Sequence, residues 1–130
     1  MQEPKDKSKI FIGELATFWF DEEGILCAIT NNTPRTLENL KRNFDFIRQV
    51  TGDKKSCLLS DITNGTAPDK VAREFSAQEF PKLFKAMAVF SGNDYGKLIT
   101  DPFIVMKDHP IPIKYFSDEY AAREWLVQYL

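Results

Sequence analysis

Apolar residues along this chain fall in short blocks separated by clusters of Asn, Asp, Gly and Pro, and the spacing inside the blocks changes from one to the next. Residues 10–20, IFIGELATFWF, are β-branched and aromatic, DEEG at 21–24 is a glycine-ended turn, and ILCAIT follows at 25–30. That pattern predicts a hairpin with a four-residue loop. After NNTP the period lengthens: Leu37, Leu40, Phe44, Ile47 and Val50 stand three or four apart, which makes one stripe of an amphipathic helix. Thr36 is placed to cap its start by accepting a hydrogen bond from an early backbone N–H. Gly52 is placed to end it in the left-handed conformation.

The run KSCLLSDI at 55–62 has charge only at its ends and predicts a central parallel strand covered on both faces. Thr66, ahead of Ala67, Pro68 and Asp69, predicts a helix cap with proline in the first turn. Helix continues through DKVAREF, and Pro81 predicts a break or kink between Phe75 and Pro81. KAMAVF at 85–90 reads as a buried strand ending at SGND. Tyr95 to Lys107 reads as a helix through Leu98, Ile99, Phe103 and Met106, either kinked at Pro102 or restarted there behind Asp101. The segment at 111–116 carries Pro112, two residues after Pro110, and the two prolines mark it as an edge strand. Ser117, followed by Asp118 and Glu119, opens a terminal helix with Ala121, Ala122, Trp125, Leu126 and Tyr129 on one side.

The order β-β-α-β-α-β-α-β-α predicts a single α/β domain: a mostly parallel five-stranded sheet, one antiparallel strand from the N-terminal hairpin, about four helices and right-handed crossovers. Residues 1–9 are expected to be a flexible leader to a domain over 10–130. At 130 residues, 43% hydrophobic and 28% charged, the composition is that of an ordinary globular domain. Net charge is −2 with both signs interleaved, so nucleic acid is not expected as a partner. No apolar run is long enough for an integral membrane segment and no signal-peptide order is present, so a cytoplasmic location is expected.

Chemistry is sparse. Cys27 and Cys57 sit in apolar strand-like runs and read as small buried hydrophobes; one histidine and two distant cysteines offer no metal set, and no cofactor is expected. His109 reads as a solvated loop residue, and no nucleophile, base and orienting group form a catalytic constellation. In parallel α/β sheets, ligands bind at the carboxyl ends of the strands. That edge would collect Asn31, Asn32 and Thr33; then Asp61, Thr63, Asn64, Gly65 and Thr66; then Ser91, Gly92, Asn93 and Asp94. The phosphate-cradling GxxxxGK[ST] and GxGxxG patterns are both missing.

LLSDI at 58–62, KAMAVFSG at 85–92, IPIKYF at 111–116 and AAREWL at 121–126 make the chain resemble the STAS family (sulfate-transporter and anti-sigma-factor-antagonist domains), in particular its small bacterial STAS/SEC14-like members. The resemblance runs from about residue 13 onward and rests on packing motifs. In the sporulation antagonists of that family the strand matching 57–62 ends in aspartate, and an Asp-Ser-Ser-Gly carrying the phosphorylated serine follows. Asp61 matches the aspartate; Thr63, Asn64, Gly65 and Thr66 stand where the serine motif would be. The resemblance implies a non-catalytic regulatory or protein-interaction module, without the phosphoserine motif, that meets a protein partner or a second copy of itself. The alternative is a protein binding a small ligand, an anionic nucleotide or a lipid, through the loops at the carboxyl ends of the strands, with the segment 75–84 as a gate.

Overall fold

The structure, a computed structural model, describes residues 1–93 and 109–130. The apolar block at 10–20 is two strands, not one: β1 (Phe11–Ile12) and β2 (Ala16–Phe20) are joined by a tight reversal in which the Gly13 N–H donates to the Ala16 carbonyl at 2.9 Å. β2 then pairs antiparallel with β3 (Leu26–Thr30). The carboxylate of Asp21 shapes the connection by accepting from the N–H groups of Glu23 and Ile25, both at 2.9 Å.

From β3 onward every pairing is parallel. Helix α1 (Leu37–Thr51) leads to β4 (Ser56–Asp61), α2 (Lys70–Leu83) leads to β5 (Phe84–Phe90), and β6 (Ile113–Phe116) closes the sheet in register with β5. Helix α3 (Glu119–Leu126) follows. The sheet among the described residues is therefore six-stranded and mixed, in the order β1-β2-β3-β4-β5-β6, with three α-helices. The expected α/β class is found, and the expected count of five strands is corrected to six because β1 folds back on β2. The helix expected over 95–107 lies outside the described residues.

Capping shows which local predictions survive folding. Thr36 and Asn39 form a reciprocal capping box at the start of α1, and Gly52 ends the helix at φ 64°, both as expected. Thr66 does not cap α2. Asp69 does, accepting from the Ala72 N–H at 2.8 Å, while the Thr66 hydroxyl donates to the Thr33 carbonyl at 3.0 Å. The terminal helix is capped by Asp118, one residue after the expected Ser117. The predicted break before Pro81 is absent, for a physical reason. Pro81 has no N–H to offer the Ala77 carbonyl four residues back, and His109 takes that carbonyl instead, its Nε2 lying 3.2 Å away. A side chain from elsewhere in the sequence thus repairs the bond that proline removes.

The strand period of two sends alternate residues to two different cores. On one face Phe18, Leu26, Ala28, Leu58 and Met87 meet Leu40, Phe44 and Ile47 of α1 and Phe80 and Leu83 of α2. On the other, Trp19, Cys27, Leu59, Ala86 and Ala88 meet Ala122 and Leu126 of α3. The two alanines of β5 leave room for α3 to lie close, and both Ala122 and Leu126 are fully buried.

Candidate functional site

Between the sheet and the α1–α2 layer lies a cavity of about 170 Å³, lined almost wholly by carbon. Its floor includes Phe18, Ala28, Leu58, Met87 and Val89; its roof includes Leu40, Phe44 and Ile47 from α1 and Phe80 from α2. At the end where β3 and β4 finish, the lining turns polar with Thr30, Arg35, Ser60 and Thr66. The two helices are tied by Arg48 of α1, which donates to Glu79 of α2 at 2.8 Å, while Lys82 reaches the other oxygen of the same carboxylate at 2.7 Å. Lys82 and Arg48 together hold the Glu79 carboxyl below the usual carboxylate range.

Two polar groups of this cavity have an unusual setting. Asn43 stands within the apolar stripe of α1, three residues after Leu40 and four before Ile47. Its Oδ1 is shielded from solvent and has no hydrogen-bond partner among the described residues. Arg35, half-buried ahead of the Thr36 cap, donates through Nη1 to the carbonyls of Asn31 at 2.6 Å and Thr33 at 2.5 Å, and through Nη2 to that of Leu15 at 2.9 Å. Burial pushes its guanidinium pKa down. Neither residue stood out in the sequence reading. The asparagine had a visible signal, a polar residue inside a helix's apolar stripe. The arginine had none, because its carbonyl partners on the β1–β2 and β3–α1 connections meet only after folding.

The loops expected at the carboxyl ends of the strands do come together, and they divide into two groups. Gly65 and Thr66 border the cavity; a Cβ on Gly65 would stand 2.8 Å from the Thr30 hydroxyl, so only glycine fits that approach. Asp61, Thr63, Ser91, Gly92 and Asn93 form a clasp outside it. Asp61 accepts from the Thr63 N–H at 3.0 Å and from its hydroxyl at 2.6 Å; that hydroxyl in turn accepts from the Gly92 N–H at 3.0 Å. Asn93 reaches the Thr63 carbonyl at 3.4 Å, and the Ser91 hydroxyl bonds the Asn93 carbonyl and, at 2.8 Å, the Tyr115 hydroxyl. The N-terminal ammonium lies 3.6 Å from both Asp61 and Glu119. Asn64 is exposed, with no part in the clasp. The Thr63 hydroxyl is thus engaged on both sides, and the clasp ties β4 to β5.

Among the described residues, His109 is engaged and the two cysteines are shielded. His109 is not a solvated loop residue: it is half-buried, Nδ1 accepting from the Ile111 N–H at 3.3 Å while Nε2 holds Ala77. Burial pushes the Cys27 thiol up to about 11 and raises that of Cys57 as well, so both stay protonated near neutrality. No group of three or more His, Cys, Asp or Glu among the described residues is arranged to hold a metal ion. Among the same residues no helix is long and apolar enough to cross a membrane.

A family model described as a domain of unknown function, DUF7793, matches residues 18–130. The chain belongs to that family. Among solved structures, it is similar to an uncharacterized DUF3478-family protein from Shewanella loihica PV-4 described as having a SpoIIAA-like fold. The two share 17% identity at a TM-score of 0.62, covering 97% of this chain and 98% of that one. At that identity the likeness establishes the fold, and it is the fold that the STAS resemblance led one to expect. No curated protein matches the chain.

Proposed function

We propose that this protein is a non-catalytic binding module that takes a small amphiphilic ligand between its sheet and the α1–α2 layer. The carrying observation is the 170 Å³ apolar cavity with a polar end at the finish of β3 and β4. Protein interiors are ordinarily packed with few voids larger than a water molecule, and apolar cavities of about 150 Å³ take up benzene-sized guests. The Thr63 hydroxyl being tied into the clasp supports a switch operated by ligand occupancy more than one operated by modification at the strand end. Ligand on the α1–α2 face would alter how α2 sits, and α2 is joined to the 61–66 loop.

Titration with neutral probes, benzyl alcohol and octanol, followed by NMR of the Ala28 and Met87 methyl groups, tests the reading. Saturable shifts at those methyls, accompanied by a rise in melting temperature as mass action requires, are expected. An Ala28→Phe variant that folds should lose them. Unchanged methyl resonances at millimolar probe would overturn the reading.

A second reading, a protein-interaction module that meets a protein partner or a second copy of the chain, is favoured by the SpoIIAA-like fold together with the exposure of Asn64 beside the clasp. An Asn64→Arg substitution that abolishes a measured association while leaving probe binding intact would assign the surface to that loop.

A further inference from the structure

The cavity is lined by a cation that has no counter-ion among the described residues. Arg42 and Arg48 hold carboxylates at 2.9 Å and 2.8 Å, and Arg123 holds those of Asp21 and Glu119. Arg35 holds none among the described residues; its partners are the three backbone carbonyls. A guanidinium has five N–H donors. Three are taken, which leaves the Nε–H and one Nη2–H without a partner among the described residues. Taking a cation partly out of water without neutralising it is costly, and an anion is what offsets that cost best. Arg35 is also the one charged side chain among the described lining residues, so the site balances a single negative charge. The second orphan is the Asn43 Oδ1, a buried acceptor that lacks a donor among the described residues. It sits about 10 Å from the start of α1, at ~1.5 Å rise per residue.

We propose, building on the cavity reading above, that the ligand is a monocarboxylate with an apolar body about the size of one aromatic ring and a hydrogen-bond donor at its far end. The carboxylate docks on the free N–H groups of Arg35, whose planar fork suits it. The body lies among Leu40, Phe44 and Phe80, and the far hydroxyl or N–H donates to Asn43.

Three probes separate the parts: phenylpropanol, phenylpropanoate and para-hydroxyphenylpropanoate, titrated calorimetrically into the full chain. Affinity is expected to rise in that order, by roughly 10- to 100-fold for the carboxylate and about 5-fold for the hydroxyl, the usual range for charged and neutral hydrogen bonds. Arg35→Gln should erase the carboxylate step, and Asn43→Leu the hydroxyl step. Because Arg35 also holds three carbonyls, salt dependence is read on the unaltered chain: added salt should weaken phenylpropanoate and leave phenylpropanol unaffected. Equal affinity for all three probes would overturn the carboxylate proposal while leaving the cavity reading in place. No binding of any probe would overturn both, and tighter binding of phenyl phosphate than of phenylpropanoate would overturn the choice of anion.

Discussion

The two faces of one sheet are built to different ends. Under α3 the packing is close: Ala86 and Ala88 let the helix approach, Leu126 fills the space, and Arg123 ties the helix to Asp21 at the β2–β3 turn. Under α1 and α2 several rings meet, Phe18, Phe44, Phe80 and Phe84, yet they leave a cavity where, among the described residues, the Asn43 Oδ1 has no donor and Arg35 has no anion. Bulk alone does not fill a core. Close packing follows from matched sizes across the contact, and on the α1–α2 face the two helices are tied to each other by the Arg48–Glu79 bridge, and α2 to the segment before β6 by the His109 bond to Ala77, over a space that the side chains do not fill.

The sharpest way to break the comparison is to enlarge one alanine on each face. Ala88→Leu should overpack the α3 face and cost about 1–3 kcal/mol, read as a lower midpoint in urea unfolding. Ala28→Leu projects into the cavity and should be neutral or stabilising by about 0.5 kcal/mol while weakening probe binding. Equal costs at the two positions would show that the faces are packed alike.

A smaller effect tests the tie at α2. His109→Phe keeps a ring against Phe80 but leaves the Ala77 carbonyl without its donor, and should cost about 1 kcal/mol. Hydrogen exchange in α2 should quicken around Pro81 while α1 is unaffected; an unchanged α2 would mean that the proline is accommodated without His109.

The smallest effect probes dryness on the α3 face. With its thiol raised to about 11 against an ordinary 9.0, Cys27 binds its proton more tightly folded than unfolded. Its contribution is full below pH 9 and is lost as pH rises toward 11. Iodoacetamide at pH 8 should therefore label Cys27 only at the rate of global unfolding; rapid labelling of the native protein would show that water reaches beneath α3.

Elements were legible in the sequence where local chemistry alone decides them. The stripe of α1, its Thr36 cap and its Gly52 stop were of this kind, as were the buried strands β4 and β5. What escaped was settled by distant partners. Residues 10–20 look continuous because every block is apolar, and only pairing shows that the chain reverses at Gly13. Thr66 and Asp69 are both capable caps, and Thr33 decides between them by accepting from the threonine. Pro81 reads as a breaker because its repair comes from His109. The strand-end loops were foreseen as neighbours, but the cavity beside them was not, since a void is a relation among surfaces rather than a motif. Arg35 acquires its meaning from three carbonyls that the sequence does not place side by side.

Among the described residues the strand order of the sheet is also the order of the chain, without a skipped position. Each new strand therefore finds its neighbour at the growing edge, and no strand has to be inserted between two already paired. Such a sheet can be assembled vectorially, from β1 toward β6, as the polypeptide leaves the ribosome. The edge exposed at each stage is the one that the next βα unit covers, so the hazard of an open edge is brief and moves along with synthesis.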